Sequence, residues 1–159
     1  MTIDLPYHQP CIEKEEINEV VETLKSGWLT TGPRTLKFEE TFSDYIGCRH
    51  AIGLNSCTAG LHLALAVKGF VANDEVITTT MTFPATANAI IHAGLRPVFV
   101  DIEAGTLNMD VSLIEEKITP RTRAIIPVHF AGHPCDMDPI MELASKHKFA
   151  VIEDAAHAL

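Results

Sequence analysis

Ala150-Val151-Ile152-Glu153-Asp154-Ala155-Ala156-His157 decides the fold of this chain. Its apolar start reads as a buried strand, and that strand ends on a carboxylate. Open α/β sheets place their binding residues at the carboxyl ends of the strands. Asp154 is therefore the first candidate for chemistry, and its sheet is expected to be parallel. The chain stops at Leu159, so the sheet is expected to be cut off just as its site begins to assemble.

Working back from that strand, further short apolar runs occupy 50–55 (HAIGLN), 75–79 (EVITT), 96–100 (RPVFV) and 123–128 (RAIIPV), with 149–153 (FAVIE) the last. Helical patterns fill the gaps at 58–68, 84–93, 111–118 and 138–147, the last announced by Asp138 before Pro139. The strands read as continuous rather than alternating apolar runs. That pattern predicts parallel strands joined by right-handed helical crossovers, an α/β fold. No residue-level repeat recurs between the units, and no linker separates a second complete domain.

Ahead of this alternation lie two more helices. Ile17, Val20, Val21 and Leu24 fall at i, i+3, i+4 and i+7 and predict an amphipathic helix over 13–25, stopped by Ser26-Gly27. A second is expected over 35–46, with Phe38, Phe42, Tyr45 and Ile46 on one face and Gly47 at its end. Between them runs the loop Trp28-Leu29-Thr30-Thr31-Gly32-Pro33.

Composition narrows the function. The chain has 159 residues, 47% apolar and 21% charged, and a net charge of −9. That balance offers no basic stripe to neutralise phosphates, so no nucleic-acid partner is expected. No apolar run approaches the ~20 residues of a membrane helix. The N-terminus, Met1 to Pro6, has no basic region and no apolar signal core. The four cysteines form no CxxC pair and read as free thiols of a reducing compartment. A cytoplasmic location is expected.

Three stretches carry candidate chemistry. Asn55-Ser56-Cys57-Thr58-Ala59-Gly60 joins a strand to a helix. Small hydroxyl residues at a helix N-terminus leave backbone N–H groups free for an anion such as phosphate. Alternatively, Ser56 or Thr58 only caps the helix. Cys57 either has its thiol pKa lowered by the helix terminus or is a plain small core residue. Thr82-Phe83-Pro84 follows the next strand. An aromatic there either covers a flat ring or fills the core. Val151-Ile152-Glu153-Asp154 is similar to the acidic strand of a P-loop ATPase, but no phosphate loop accompanies it; Asp154 is otherwise a helix cap or a metal ligand. His129 and His133 stand four apart, but they flank Ala131-Gly132 at a strand exit, so no metal site is expected. His8, His50, His62, His92 and His147 read as surface or packing residues. No G-x-G-x-x-G and no G-x-x-x-x-G-K-[ST] occurs, which excludes the two common nucleotide loops.

Together these segments resemble the pyridoxal-phosphate sugar aminotransferases of the DegT/StrS group. The resemblance runs through 26–33 (SGWLTTGP), 55–59 (NSCTA), 74–77 (DEVI), 81–88 (MTFPATAN), 118–122 (ITPRT), 126–129 (IPVH) and 152–157 (IEDAAH). It implies an aspartate-aminotransferase-like (fold type I) enzyme. Residues 1–34 would be an N-terminal helix and substrate loop, and 35–159 part of the large cofactor domain. It also implies roles. Ser56, Thr58 and Ala59 would hold the phosphate of pyridoxal 5′-phosphate (PLP), and Phe83 would stack on its ring. Asp154 would pair with the ring nitrogen, and His157 would lie near the ring hydroxyl. Trp28, Leu29, Thr30, Thr31 and Gly32 would help form a sugar pocket at a homodimer interface. The implied reaction moves an amino group, usually from glutamate, onto a nucleotide-linked keto-sugar, as in cell-surface polysaccharide or secondary-metabolite synthesis.

Departures from the family pattern set further expectations. Family members run to more than twice this length, and their Schiff-base lysine lies downstream of the acid strand. None of Lys14, Lys25, Lys37, Lys68, Lys117, Lys146 and Lys148 follows a strand in the right place. A truncated chain, inactive alone, without its catalytic lysine and with weak or absent PLP binding, is therefore expected. A sugar dehydratase of the same family, in which histidine replaces that lysine, and a non-catalytic binding module are the alternatives. Asn73 stands where the family has glycine.

Overall fold

The computed structural model describes residues 9–159. The readings of His8 and of the extreme N-terminus lie outside them. The chain divides into two compact units, Met1–Gly53 and Leu54–Leu159.

The first unit holds two helices, α1 (Lys14–Ser26) and α2 (Pro33–Ile46). A reciprocal capping box starts α1: the Glu13 side chain accepts from the backbone of Glu16, and Glu13 N–H donates to Glu16 Oε2 at 2.7 Å. Pro33 opens α2 at a position where its missing N–H costs nothing. Gly27 and Gly47 end the helices in the left-handed conformation. Phe38 and Phe42 meet at a ring-centroid distance of 5.8 Å. The predicted apolar stripe of α1 is real, but Ile17, Val20, Val21 and Leu24 are all exposed.

The second unit is the expected α/β layer structure. Helix α3 (Cys57–Ala66), strand β1 (Glu75–Thr79), helix α4 (Pro84–His92) and strand β2 (Arg96–Val100) come first. Strand β3 (Thr122–Ile126), helix α5 (Met137–His147) and strand β4 (Ala150–Val151) follow. The four strands are parallel in the order β2-β1-β3-β4. Central β1 is buried along its whole length. Adjacent residues point to opposite faces, so the sheet has two cores. Val76, Ala124 and Ile126 pack with Leu61, Leu65, Ala89 and Ile90 on the α3/α4 side. Ile77 and Ile125 pack with Val100, Met109, Ile114 and Ile140 on the α5 side. Asn73 takes a positive φ of 66°, which asparagine tolerates better than most residues.

Two expected elements differ. Residues 50–55 are not a strand. Gly53 N–H donates to Glu39 Oε1 at 2.7 Å instead of to a ladder, and Ile52 is 78% exposed. Residues 111–118 form two 3₁₀ turns, Val111–Leu113 and Glu115–Lys117, rather than one α-helix. Asp110 caps the first by accepting from Ser112 N–H. Only Ile114 between them is fully buried, so there is no longer apolar stripe to stabilise an α-helix.

Strand β4 is shorter than the expected 149–153, yet the pairing resumes at its end. Asp154 N–H donates to Pro127 O at 2.9 Å, and His129 N–H donates to Asp154 O at 3.1 Å. The backbone of Asp154 is thereby locked in parallel register with Val128.

Candidate functional site

Asp154 is 5% exposed at the carboxyl end of its strand. A carboxylate removed from water needs donors, and the fold supplies three. Thr86 Oγ1 donates to Oδ2 at 2.7 Å. Cys57 Sγ donates to Oδ1 at 3.6 Å, and Ala156 N–H to the same oxygen at 3.3 Å. Thr86 lies on α4 and Cys57 opens α3, so two helix starts and the acid meet at one sheet edge.

The anion-site candidate lies in that first turn of α3. Ser56 is the N-cap, its Oγ accepting from Ala59 N–H at 3.2 Å. The capping reading of Ser56 is therefore observed, and it engages the Ala59 N–H. Helix geometry leaves the N–H groups of the first turn without carbonyl partners, and the Cys57 and Thr58 amides are of this kind. The Thr58 side chain is exposed beside them.

Phe83 is the N-cap residue of α4, held extended at φ −67°, ψ 142° before Pro84. It is 76% exposed, so the core-filling reading does not hold. Phe83, Asp154, Thr82 and His157 line one cavity of about 60 Å³, together with His129 and Phe130. His157 is exposed there. Its carbonyl abuts Gly132: a Cβ at Gly132, where φ is +83°, would lie 2.9 Å from His157 O. That close approach accounts for glycine in the loop after β3.

His129 and His133 do not share a ligand. His129 Nδ1 accepts from Cys135 N–H at 3.0 Å, which leaves the proton on Nε2, 2.9 Å from Glu153 Oε2. The His133 carbonyl is held by Asn108. Among the described residues no three histidine, cysteine or acidic side chains are grouped to hold a metal. No described helix is long and apolar enough to cross a membrane.

In the first unit, Trp28, Leu29, Thr30, Thr31 and Gly32 line a cavity of about 540 Å³. Trp28 Nε1 donates to Thr31 O at 3.0 Å and folds the ring onto the loop. A Cβ on Gly32 would lie 2.2 Å from Trp28 Nε1, so the loop in this form requires glycine.

The partnership of Thr86 and Cys57 with Asp154 is not visible in the sequence. The Cys57 thiol pKa is raised, not lowered: burial acts first, then the Asp154 charge, then the thiol's hydrogen bond to Asp154. The nearby carboxylate and desolvation outweigh the helix terminus. Because the thiolate is the reactive form, Cys57 should alkylate only at a higher pH than an ordinary thiol. Asp154→Asn removes the charge and should move its alkylation midpoint down. Peptide-resolved iodoacetamide rates across pH check this.

The parallel sheet carries a buried aspartate, an exposed aromatic and a helix N-terminus at one edge, an architecture shared with the class of fold type I PLP enzymes. Solved members of that class superpose closely on this chain. They include Helicobacter pylori PseC, an aminotransferase of pseudoaminic acid biosynthesis, at a TM-score of 0.91 and 38% identity. Bacillus subtilis NtdA, solved with bound cofactor PMP, superposes at 0.88 and 38% identity. They cover 97% and 93% of this chain, and it covers 42% and 35% of them. The chain belongs to the DegT/DnrJ/EryC1/StrS aminotransferase family, which it matches over residues 10–159.

Among curated relatives, MJ1066 of Methanocaldococcus jannaschii is 61% identical. The spore coat polysaccharide biosynthesis protein SpsC of Bacillus subtilis is 55% identical. A UDP-4-amino-4-deoxy-L-arabinose–oxoglutarate aminotransferase of Shewanella sediminis is 50% identical. Each match takes in 98% of this chain, which spans 40% of each relative's length.

Proposed function

We propose that this chain forms the cofactor cradle of a PLP-dependent aminotransferase that acts on a nucleotide-linked keto-sugar, with glutamate as amino donor. The observation that carries it is the buried, triply held Asp154 beside the start of α3 and the exposed Phe83. The donor set suits PLP. The free amides of Cys57 and Thr58, with the Thr58 hydroxyl, would take the phosphate, while Ser56 and Ala59 shape the turn. Phe83 would cover the ring, Asp154 would hold the proton on its nitrogen, and His157 would face its hydroxyl. When bound, such a protonated ring draws off electron density from the reacting carbon. Asp154 contributes by keeping that proton in place, which its low-dielectric setting makes more effective.

Trp28, Leu29, Thr30, Thr31 and Gly32 would contact the sugar, in an interface between two copies. The exposed apolar stripe of α1 supports self-association, and a monodisperse monomer in light scattering at micromolar concentration would count against it. Relatives named for polysaccharide and amino-sugar synthesis support the substrate class. The free cysteines support a cytoplasmic site of action.

The test uses Cys57 as a reporter. Added PLP should protect Cys57 from alkylation, because the thiol touches the oxygen pair the ring would approach. Borohydride reduction should leave no stoichiometric pyridoxyl-lysine, since no lysine lines the cavity of Phe83, Asp154 and His157. Absence of protection at millimolar PLP would sink the cradle reading. A single stoichiometric adduct would show that a lysine of this chain reaches the aldehyde.

A further inference from the structure

Thr86 has no measurable exposure, yet it carries a hydroxyl. That hydroxyl lies 2.7 Å from Asp154 Oδ2 and 2.7 Å from Thr82 Oγ1. An ionised carboxylate only accepts hydrogen bonds, and a hydroxyl has a single proton. The Thr86 proton therefore goes to Asp154. It follows that Thr82 is the donor in the Thr82–Thr86 contact. The chain of protons runs in one direction, from Thr82 at the cavity through buried Thr86 to Oδ2. The other oxygen, Oδ1, stays on the side of Cys57 and Ala156.

We propose that Thr86, backed by Thr82, is a positioning residue that fixes the plane of the Asp154 carboxylate for the nitrogen of a pyridinium ring. This rests on the function proposed above for its cofactor part alone; the hold on Asp154 is independent of it. Without the Thr86 hydroxyl, a buried oxygen has no donor. The carboxylate then turns away or takes up a proton, and in either case its field at Cys57 weakens. His129 and His157 are the other titratable groups lining the cavity beside Asp154, and they are unchanged in every variant below.

The experiment reads the pH midpoint of Cys57 alkylation in the cofactor-free chain, and separately the affinity for PLP. The proteins are wild type, Thr86→Val, Thr86→Ser, Thr82→Val and Asp154→Asn. Valine keeps the shape of threonine, serine keeps the hydroxyl, and Thr82→Val tests the relay at a less buried position should Thr86→Val fail to fold. Thr86→Val should move the midpoint down toward that of Asp154→Asn, Thr86→Ser should restore the wild-type value, and Thr82→Val should fall between. PLP affinity should drop roughly ten- to a hundredfold in Thr86→Val and recover in Thr86→Ser. A Thr86→Val midpoint at or above wild type, with Asp154→Asn shifted down, overturns the proposal. Equal midpoints in all variants, Asp154→Asn included, overturn it too. If the midpoints move as expected and PLP binds no variant, the hold on Asp154 stands and the cofactor reading fails. If PLP binds wild type and Thr86→Val equally well, the positioning role fails and the cofactor reading stands.

Discussion

Asp154→Asn should abolish PLP binding at concentrations that occupy the wild-type cradle. Breaking a buried ion pair by removing one partner costs about 3–5 kcal/mol. That corresponds to roughly a hundredfold or more in affinity. The loss is specific to the charged partner, because asparagine keeps the side-chain shape and still offers an oxygen to Thr86. Equilibrium dialysis against PLP measures the affinity, and circular dichroism confirms that the variant is folded. Unchanged affinity in a folded Asp154→Asn would mean that the carboxylate does not face the ring nitrogen.

The largest effect on stability should come from Ile125→Ala. Ile125 sits in β3 between β1 and β4, has no exposure, and touches the α5-side core with Ile77, Ile114 and Ile140. Truncating such a side chain costs about 2–5 kcal/mol, a large share of the ~5–15 kcal/mol of a whole domain. Ile52→Ala is its counterpart. In a buried strand it would cost a similar amount; in the exposed loop found here the change should stay within about 0.5 kcal/mol. Urea unfolding midpoints compare the two. Comparable losses for both would restore the strand reading of 50–55.

That pair also shows what the sequence made legible. β1 and β3 are readable because runs such as Val76-Ile77-Thr78-Thr79 and Ile125-Ile126 are β-branched and buried on both faces. The Ala51-Ile52-Gly53-Leu54 stretch is also a short apolar run, with Ile52 its one β-branched residue. Its backbone is diverted by one contact with Glu39, a pairing no local pattern encodes. The stretch 111–118 folds as the 3₁₀ turns Val111–Leu113 and Glu115–Lys117 rather than the expected helix because one buried isoleucine does not make a helix face.

The site divides in the same way. Asp154, Phe83 and the turn at Ser56 are legible because each stands at a strand end or a helix start, where parallel sheets put function. The contacts that hold Asp154 span 68 residues to Thr86 and 97 to Cys57. Only the order of the strands brings those side chains together. Thr86 alone in a helix carries no signal of its partner, and the helix start at Cys57, which allows a lowered thiol pKa as one of two readings, carries no sign of the carboxylate that raises it.

The most direct measurement of the central claim is a backbone amide NMR titration of this chain with PLP. Shifts should concentrate at Cys57, Thr58 and Ala59, at Phe83, and at Asp154 through His157, all growing with one affinity and absent in Asp154→Asn. Shifts centred elsewhere, as around Asp110 and His133, or none at these residues at millimolar PLP, would contradict it.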